Sequence, residues 1–125
     1  MKKEFMELWA KKAFDLTIDF EGTLSGGIAP PKRLISCTVT ENNTVEMRYD
    51  LPGTCGLSDV RYHVTDPNRI RTEVFAFTDD GKVFLDGTEF PGPYENDPWI
   101  APWTGDEAMA FRRKFAAAFN AEIAS

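Results

Sequence analysis

The sequence predicts an α+β domain in which two terminal amphipathic helices cover one face of an antiparallel meander sheet. Three observations predict this fold: apolar and polar residues alternate with period two along most of the chain, short turn-rich breaks separate these runs, and apolar residues recur at helical spacing near both termini. The 125 residues suffice for one domain, 1–125, with a single core. We expect about six strands, and the same pattern also fits a small closed barrel.

The first predicted element is a helix over 3–13. Its apolar face consists of Phe5, Leu8, Trp9 and Ala13, and its charged side of Lys3, Glu7 and Lys11. Directly after it, Phe14, Leu16, Ile18 and Phe20 alternate with polar residues, which predicts a half-buried strand over 14–20.

Five further stretches have strand character, namely 34–40, 44–51, 59–65, 69–77 and 82–90. The last two flank Asp79-Asp80-Gly81, and Asp-Gly between two such runs is the strongest short-range hairpin signal. Phe75 and Phe77 share a strand face with Arg71 and Glu73. If these two rings are not covered within the monomer, the pattern favours a homodimer.

The C-terminal helix has the clearest signals. Thr104-Gly105-Asp106-Glu107 fits a capping box, which marks the start of a helix. The apolar stripe that follows consists of Phe111, Phe115 and Phe119, with Ala108, Ala118 and Ile123 on its flanks.

The charge of the chain restricts its partners. Fourteen basic and twenty acidic residues give a net charge of −6, which argues against binding to nucleic acid phosphates. No apolar run is long enough to span a membrane, and no export signal is present, so we expect a cytoplasmic protein. Cys37 and Cys55 lack metal-ligand spacing, and whether they pair is left open. Neither a metal nor a cofactor is expected.

The sequence lacks the common catalytic signatures, and whether the chain catalyses a reaction is left open. His63 is the only histidine, and the candidate catalytic set joins it to Arg61, Arg71 and Glu73. An orienting carboxylate would come from Glu46, Asp50 or Glu73. The alternative is a solvated sheet face with cross-strand charge pairs.

The segment Asp19-Phe20-Glu21-Gly22-Thr23-Leu24 resembles the D-x-D-G-T-L nucleophile loop of the haloacid dehalogenase phosphatases, with Glu21 in place of the second Asp. In that family the first Asp attacks phosphorus and the second acts as acid and base near Mg²⁺. The family builds a parallel sheet from alternating strands and helices, whereas this chain supplies successive strands. The resemblance is therefore confined to these six residues.

The segment from Pro91 to Thr104 combines four prolines with Tyr94, Trp99 and Trp103, and aromatic rings on a proline-stiffened loop suit recognition. Alternatively, the two tryptophans pack into the core. The first functional hypothesis is therefore a small ligand-binding domain, whose pocket lies on a curved sheet, holds a small apolar molecule and is lidded by this loop. The second is an acidic protein-protein interaction module, such as an inhibitor, an immunity-type protein or an assembly factor, without catalytic activity.

Overall fold

Five strands form one antiparallel sheet in the computed structural model, which describes residues 1–24, 32–50, 69–92 and 106–125. The elements are helix α1 (Lys3–Leu24), strands β1 (Arg33–Thr40), β2 (Thr44–Asp50), β3 (Ile70–Phe77), β4 (Val83–Leu85) and β5 (Thr88–Phe90), and helix α2 (Asp106–Ala124). The strands pair in sequence order, with β1 and β5 as the two edges, so the sheet is open rather than closed into a barrel. The predicted α+β meander is confirmed.

Helix α1 is longer than predicted, because the strand expected over 14–20 continues the helix instead. That prediction is wrong for a physical reason. Ala10, Ala13, Phe14 and Thr17 follow helical spacing and are all buried, and neither Gly nor Pro interrupts the chain before Gly22. The Thr17 hydroxyl donates a hydrogen bond of 2.6 Å to the carbonyl oxygen of Phe14, which suits this β-branched residue to the helix.

Two further consequences follow from the course of α1. The segment that resembles the phosphatase loop, residues 19–24, forms the last turns of a helix and does not follow a strand. Leu8, predicted on the buried face, is 50% exposed, whereas Ala10 and Met6 take the positions against the core.

The tight turns confirm one hairpin and reveal another. The Asp79-Asp80-Gly81 turn joins β3 to β4 as predicted, with Gly81 at φ 82°. The run 82–90 is not one strand, because it folds back at Asp86 and Gly87, whose φ values of 48° and 86° suit a type I′ turn. A second Asp-Gly pair thus forms a second hairpin.

The core lies between the sheet and the two helices. Phe111, Phe115 and Phe119 of α2 are buried as predicted, and Trp9 of α1 meets the first two edge-on at 5.6 and 5.3 Å between ring centroids. Ile123, expected beside this stripe, is 64% exposed.

The aromatic rings of β3 belong to the same core. Phe75 is fully buried and Phe77 is 3% exposed, so the condition under which these rings favour a homodimer is not met. The strand predicted over 59–65 and the capping residues Thr104 and Gly105 lie outside the described residues. Among the described helices, neither has an apolar stretch that would cross a bilayer.

Candidate functional site

Of the predicted catalytic set, the described residues include Arg71 and Glu73. Both lie on β3 with their side chains on the face that carries Phe75 and Phe77, and Arg71 is exposed whereas Glu73 is buried. His63 and Arg61 fall in the undescribed range 51–68, and the predicted contact residues Tyr94, Trp99 and Trp103 fall in 93–105. Their roles therefore stay predictions.

Glu73 forms a buried ion pair with Lys32. The Lys32 ammonium donates a hydrogen bond of 2.6 Å to Oε1 of Glu73, and the two side chains are 1% and 11% exposed. Lys32 directly precedes β1, and its side chain reaches past β2 to β3. We refer to Lys32 and Glu73 as the buried pair.

Two aromatic rings flank the ammonium of the buried pair. Lys32 Nζ lies 4.9 Å from the ring centroid of Phe14 on α1 and 5.0 Å from that of Tyr49 on β2. A cation over an aromatic face at these distances is attracted by the ring quadrupole, and more strongly where water is excluded. The ammonium is thus held by one carboxylate and two rings at the end of the sheet where β1 and β3 begin.

The register of the strands explains the surroundings of the buried pair. Glu73 pairs with Met47, and Arg71 pairs with Tyr49, so Arg71 borders the same aromatic wall. Among the described residues of this group, Lys32 and Arg71 supply two positive charges and Glu73 one negative charge. The arrangement is therefore suited chemically to a group that is negatively charged and attached to an apolar body.

The opposite face of this sheet end carries a second ion cluster. Asp50 accepts hydrogen bonds of 2.8 Å from both Nε and Nη2 of Arg69, and Arg33 Nη2 lies 3.5 Å from Asp50 Oδ2. The hydrogen bond from Arg69 is the main cause that lowers the pKa of the Asp50 carboxyl, with partial desolvation opposing it. We call Arg33, Asp50 and Arg69 the outer-face cluster.

The three carboxylates considered as partners for His63 do not converge. Glu46 and Asp50 alternate with the buried Val45, Met47 and Tyr49 of β2, and therefore lie on the outer face of the sheet. Glu73 lies on the core face. A histidine on the core face could thus be oriented by Glu73, and one on the outer face by Glu46 or Asp50, but no position allows all three.

Lys32 is the functional candidate that sequence reasoning missed. It follows Pro30-Pro31 and reads as part of a basic, turn-rich connection, and its partner lies 41 residues further along the chain. The available signal was Glu73 itself, because a carboxylate at a position that alternates with buried phenylalanines requires a cation nearby.

Two open cavities lie elsewhere among the described residues. A groove of about 510 Å³ separates the start of α1 from the end of α2, and one of about 290 Å³ lies between α2 and the β4 and β5 strands. In the described ranges, no three or more His, Cys, Asp or Glu side chains are grouped so as to hold a metal ion.

Comparisons with protein-family models, with curated proteins and with solved structures found no match to this chain.

Proposed function

We propose that this protein binds a small, mainly apolar molecule with an anionic group, at the sheet end that contains the buried pair. The exposed Arg71 would bind the anion and its cross-strand neighbour Tyr49 would contact the apolar body, with the buried Lys32 ammonium and Phe14 behind them. The observation that supports this proposal above all is the burial of Lys32 and Glu73 between two aromatic rings.

Burial of this ion pair is poorly explained by stability alone. Transfer of two charges from water into a protein interior costs several kcal/mol for each ion, and the mutual attraction often fails to exceed that cost. Apolar residues of similar size would serve the core as well or better. Buried charges that stability does not explain are accordingly candidates for binding or catalytic sites.

The charge balance supports an anionic ligand. The chain as a whole is negative at −6, whereas the described residues on the core face of this sheet end include two cations, Lys32 and Arg71, beside the carboxylate of Glu73. A local excess of positive charge with apolar walls concentrates anions, because the low-dielectric walls focus the field.

The course of the chain supports a role for the predicted His63 set. Residues 51–68 join the end of β2 to the start of β3, and both ends of that connection lie at the sheet end with the buried pair. Arg61 and His63 belong to this connection, so we propose that they complete the site. Tyr94, Trp99 and Trp103 are proposed to cover it, as the sequence analysis suggests.

The test uses anilinonaphthalene sulfonate, a fluorescent dye that combines apolar rings with an anionic group. The Arg71→Ala variant should weaken saturable dye binding about tenfold or more, because a hydrogen bond to a charged group is lost. Arg48→Ala is the matched control, since Arg48 is an exposed arginine on the adjacent strand and the opposite face, and it should leave binding unchanged.

Near-ultraviolet circular dichroism of each variant distinguishes dye bound to the folded protein from dye bound to a loosened core. An absence of saturable binding to the folded wild type would overturn the proposal. Equal weakening by Arg71→Ala and Arg48→Ala would do the same, because it would indicate a general charge effect.

A further inference from the structure

The two edges of the sheet differ in how well they are protected. β5 has three residues, whereas β1 has eight, and residues 34–40 of β1 include no charged residue, proline or glycine. Natural sheets block their edges with such residues to prevent pairing with other chains. Leu34 and Ile35 are 39% and 49% exposed, and an irregularity between Leu34 and Ser36 disturbs only the start of the strand. Among the described residues, no strand pairs with the outer edge of β1, which is therefore suited to pairing with another strand.

Helix α1 lies beside this edge and runs antiparallel to β1. Near its C-terminal half, the Phe14 ring lies 5.6 Å from that of Tyr49, the partner of Leu34. Further along β1, burial raises the pKa of the Cys37 thiol, while the charge of Lys11 lowers it and that of Glu7 raises it. Measured from Phe14, α1 rises about 4.5 Å to residue 11 and about 10.5 Å to residue 7, and β1 rises about 7 Å from the level of Leu34 to that of Cys37, so residues 7 and 11 flank the level of Cys37.

On the exposed side of α1, charged residues are arranged so that two antiparallel copies of the helix would place opposite charges beside each other. Four residues at intervals of four alternate in sign, namely Lys3, Glu7, Lys11 and Asp15. We call them the charged stripe. When the stripe is turned end to end about its centre, Lys3 faces Asp15 and Glu7 faces Lys11. A second, antiparallel copy of α1 therefore offers the opposite charge at all four positions.

We propose that β1 pairs antiparallel with β1 of a second copy of this chain, across a two-fold axis beside Cys37. The two sheets then join into one, and the two α1 helices lie side by side with Glu7 of each copy facing Lys11 of the other. Neighbouring strands are about 4.8 Å apart, and α1 contacts β1 and β2 to the same extent, so α1 lies over the gap between these two strands. Across the two-fold axis, the two α1 helices would therefore lie about 10 Å apart. That separation is usual for packed helices.

A two-fold axis explains both features at once. An isologous interface brings the same surface of both copies together, so it requires a patch that is complementary to itself. The uncharged strand supplies backbone pairing, and the charged stripe fixes the antiparallel direction and the register. The stripe alone would also stabilise α1 within one chain, as the Lys3–Glu7 contact of 3.9 Å does. The experiment must therefore separate these two roles.

Sedimentation equilibrium over a dilution series measures the dissociation constant of the dimer. Lys11→Glu should raise it about tenfold, because two carboxylates then face each other at two places in each dimer. The exchange Glu7→Lys with Lys11→Glu restores opposite charges across the axis and should recover wild-type association. Lys114→Glu, an equal charge change on an exposed position of α2, is the matched control and should have little effect.

Chemical cross-linking tests the position of the axis. In a Cys37→Ser, Cys55→Ser background, a short bis-maleimide should join Thr38→Cys of one copy to the same position of the other, because position 38 is exposed and lies next to the axis. Asp106→Cys in that background, a change at an exposed position of α2, is the matched control and should give no cross-linked dimer. The proposal is overturned if the protein is monomeric at every concentration tested. It is also overturned if a dimer forms that does not cross-link through position 38 or is not weakened by Lys11→Glu.

Discussion

The two ion clusters at one end of the sheet share their strands, but their basic residues differ in exposure to water. Lys32 and Arg33 are consecutive, and because side chains alternate along a strand, Lys32 lies on the core face and Arg33 on the outer face. The Lys32 side chain is 1% exposed, and that of Arg33 is 70% exposed. Charges of the same kind, one residue apart, therefore face quite different solvation.

Because of this difference in exposure, breaking an ion pair should have different effects on stability in the two clusters. In the outer-face cluster, Arg33 is largely exposed to water, so its ion pair with Asp50 contributes little and little is lost when it is broken. In the buried pair, each charge depends on its partner because water is excluded. Stability alone therefore does not explain why the chain has the buried pair, whereas a function in ligand binding would explain it.

The largest effect is expected from Glu73→Ala. The substitution leaves the Lys32 ammonium buried without its carboxylate, and breaking a buried pair in this way costs about 3–5 kcal/mol of unfolding free energy. Urea denaturation measures the loss. The double change Lys32→Met with Glu73→Leu should recover most of it. A single-variant loss below about 1 kcal/mol would mean that the pair behaves like a surface pair.

A smaller effect is expected at the aromatic wall. Phe14→Leu removes one ring beside the Lys32 ammonium, and in a double-mutant cycle with Lys32→Met the coupling between the two should be about 1–2 kcal/mol. Urea denaturation of the four proteins gives this value. A coupling near zero would show that Phe14 contributes only apolar area.

For the outer-face cluster, we expect the contribution of Asp50 to the free energy of unfolding to depend on pH. A carboxyl whose pKa is lower in the folded state stabilises the protein above its unfolded-state pKa, here the usual 3.8, and that contribution is lost as pH falls through the folded-state pKa. Arg69→Met should raise the Asp50 pKa towards 3.8 and flatten this part of the acid unfolding profile. Carbon-detected NMR titration of Asp50 measures the shift. An unchanged pKa would contradict the assignment to Arg69.

The smallest effect is expected from Arg33→Met. Arg33 donates a long hydrogen bond of 3.5 Å to Asp50, is largely exposed, and lowers the pKa of that carboxyl through its charge less than Arg69 does. The Asp50 pKa should rise less than in Arg69→Met, by the same titration. A larger rise than in Arg69→Met would reverse the proposed order of the two arginines.

Local sequence patterns predicted an element correctly where the pattern was compatible with one kind of secondary structure only. The stripe of Phe111, Phe115 and Phe119 and the turn at Gly81 were both predicted and are both present. The segment 14–20 satisfied both period two and helical spacing, and tertiary burial of Phe14 and Thr17 decided for the helix. The Asp86-Gly87 turn was missed although it carries the same Asp-Gly signal as the predicted hairpin.

The candidate site was predictable only in part. Glu73 and Arg71 were named from the sequence as neighbours of His63 on an adjacent strand, with Glu73 as one of the carboxylates that could orient it. Lys32 could not be named, since its role depends on a contact between residues far apart in the chain. Alternation predicts which side of a strand a residue faces, but it does not predict which distant residue comes within reach.

The most direct test of the account is dye binding to the Lys32→Met, Glu73→Leu double variant. If the buried pair serves ligand binding, this variant keeps its fold and stability while the dissociation constant for anilinonaphthalene sulfonate rises about tenfold or more. If that constant stays at the wild-type value in the folded variant, the buried pair has no part in binding, and the proposed function is wrong.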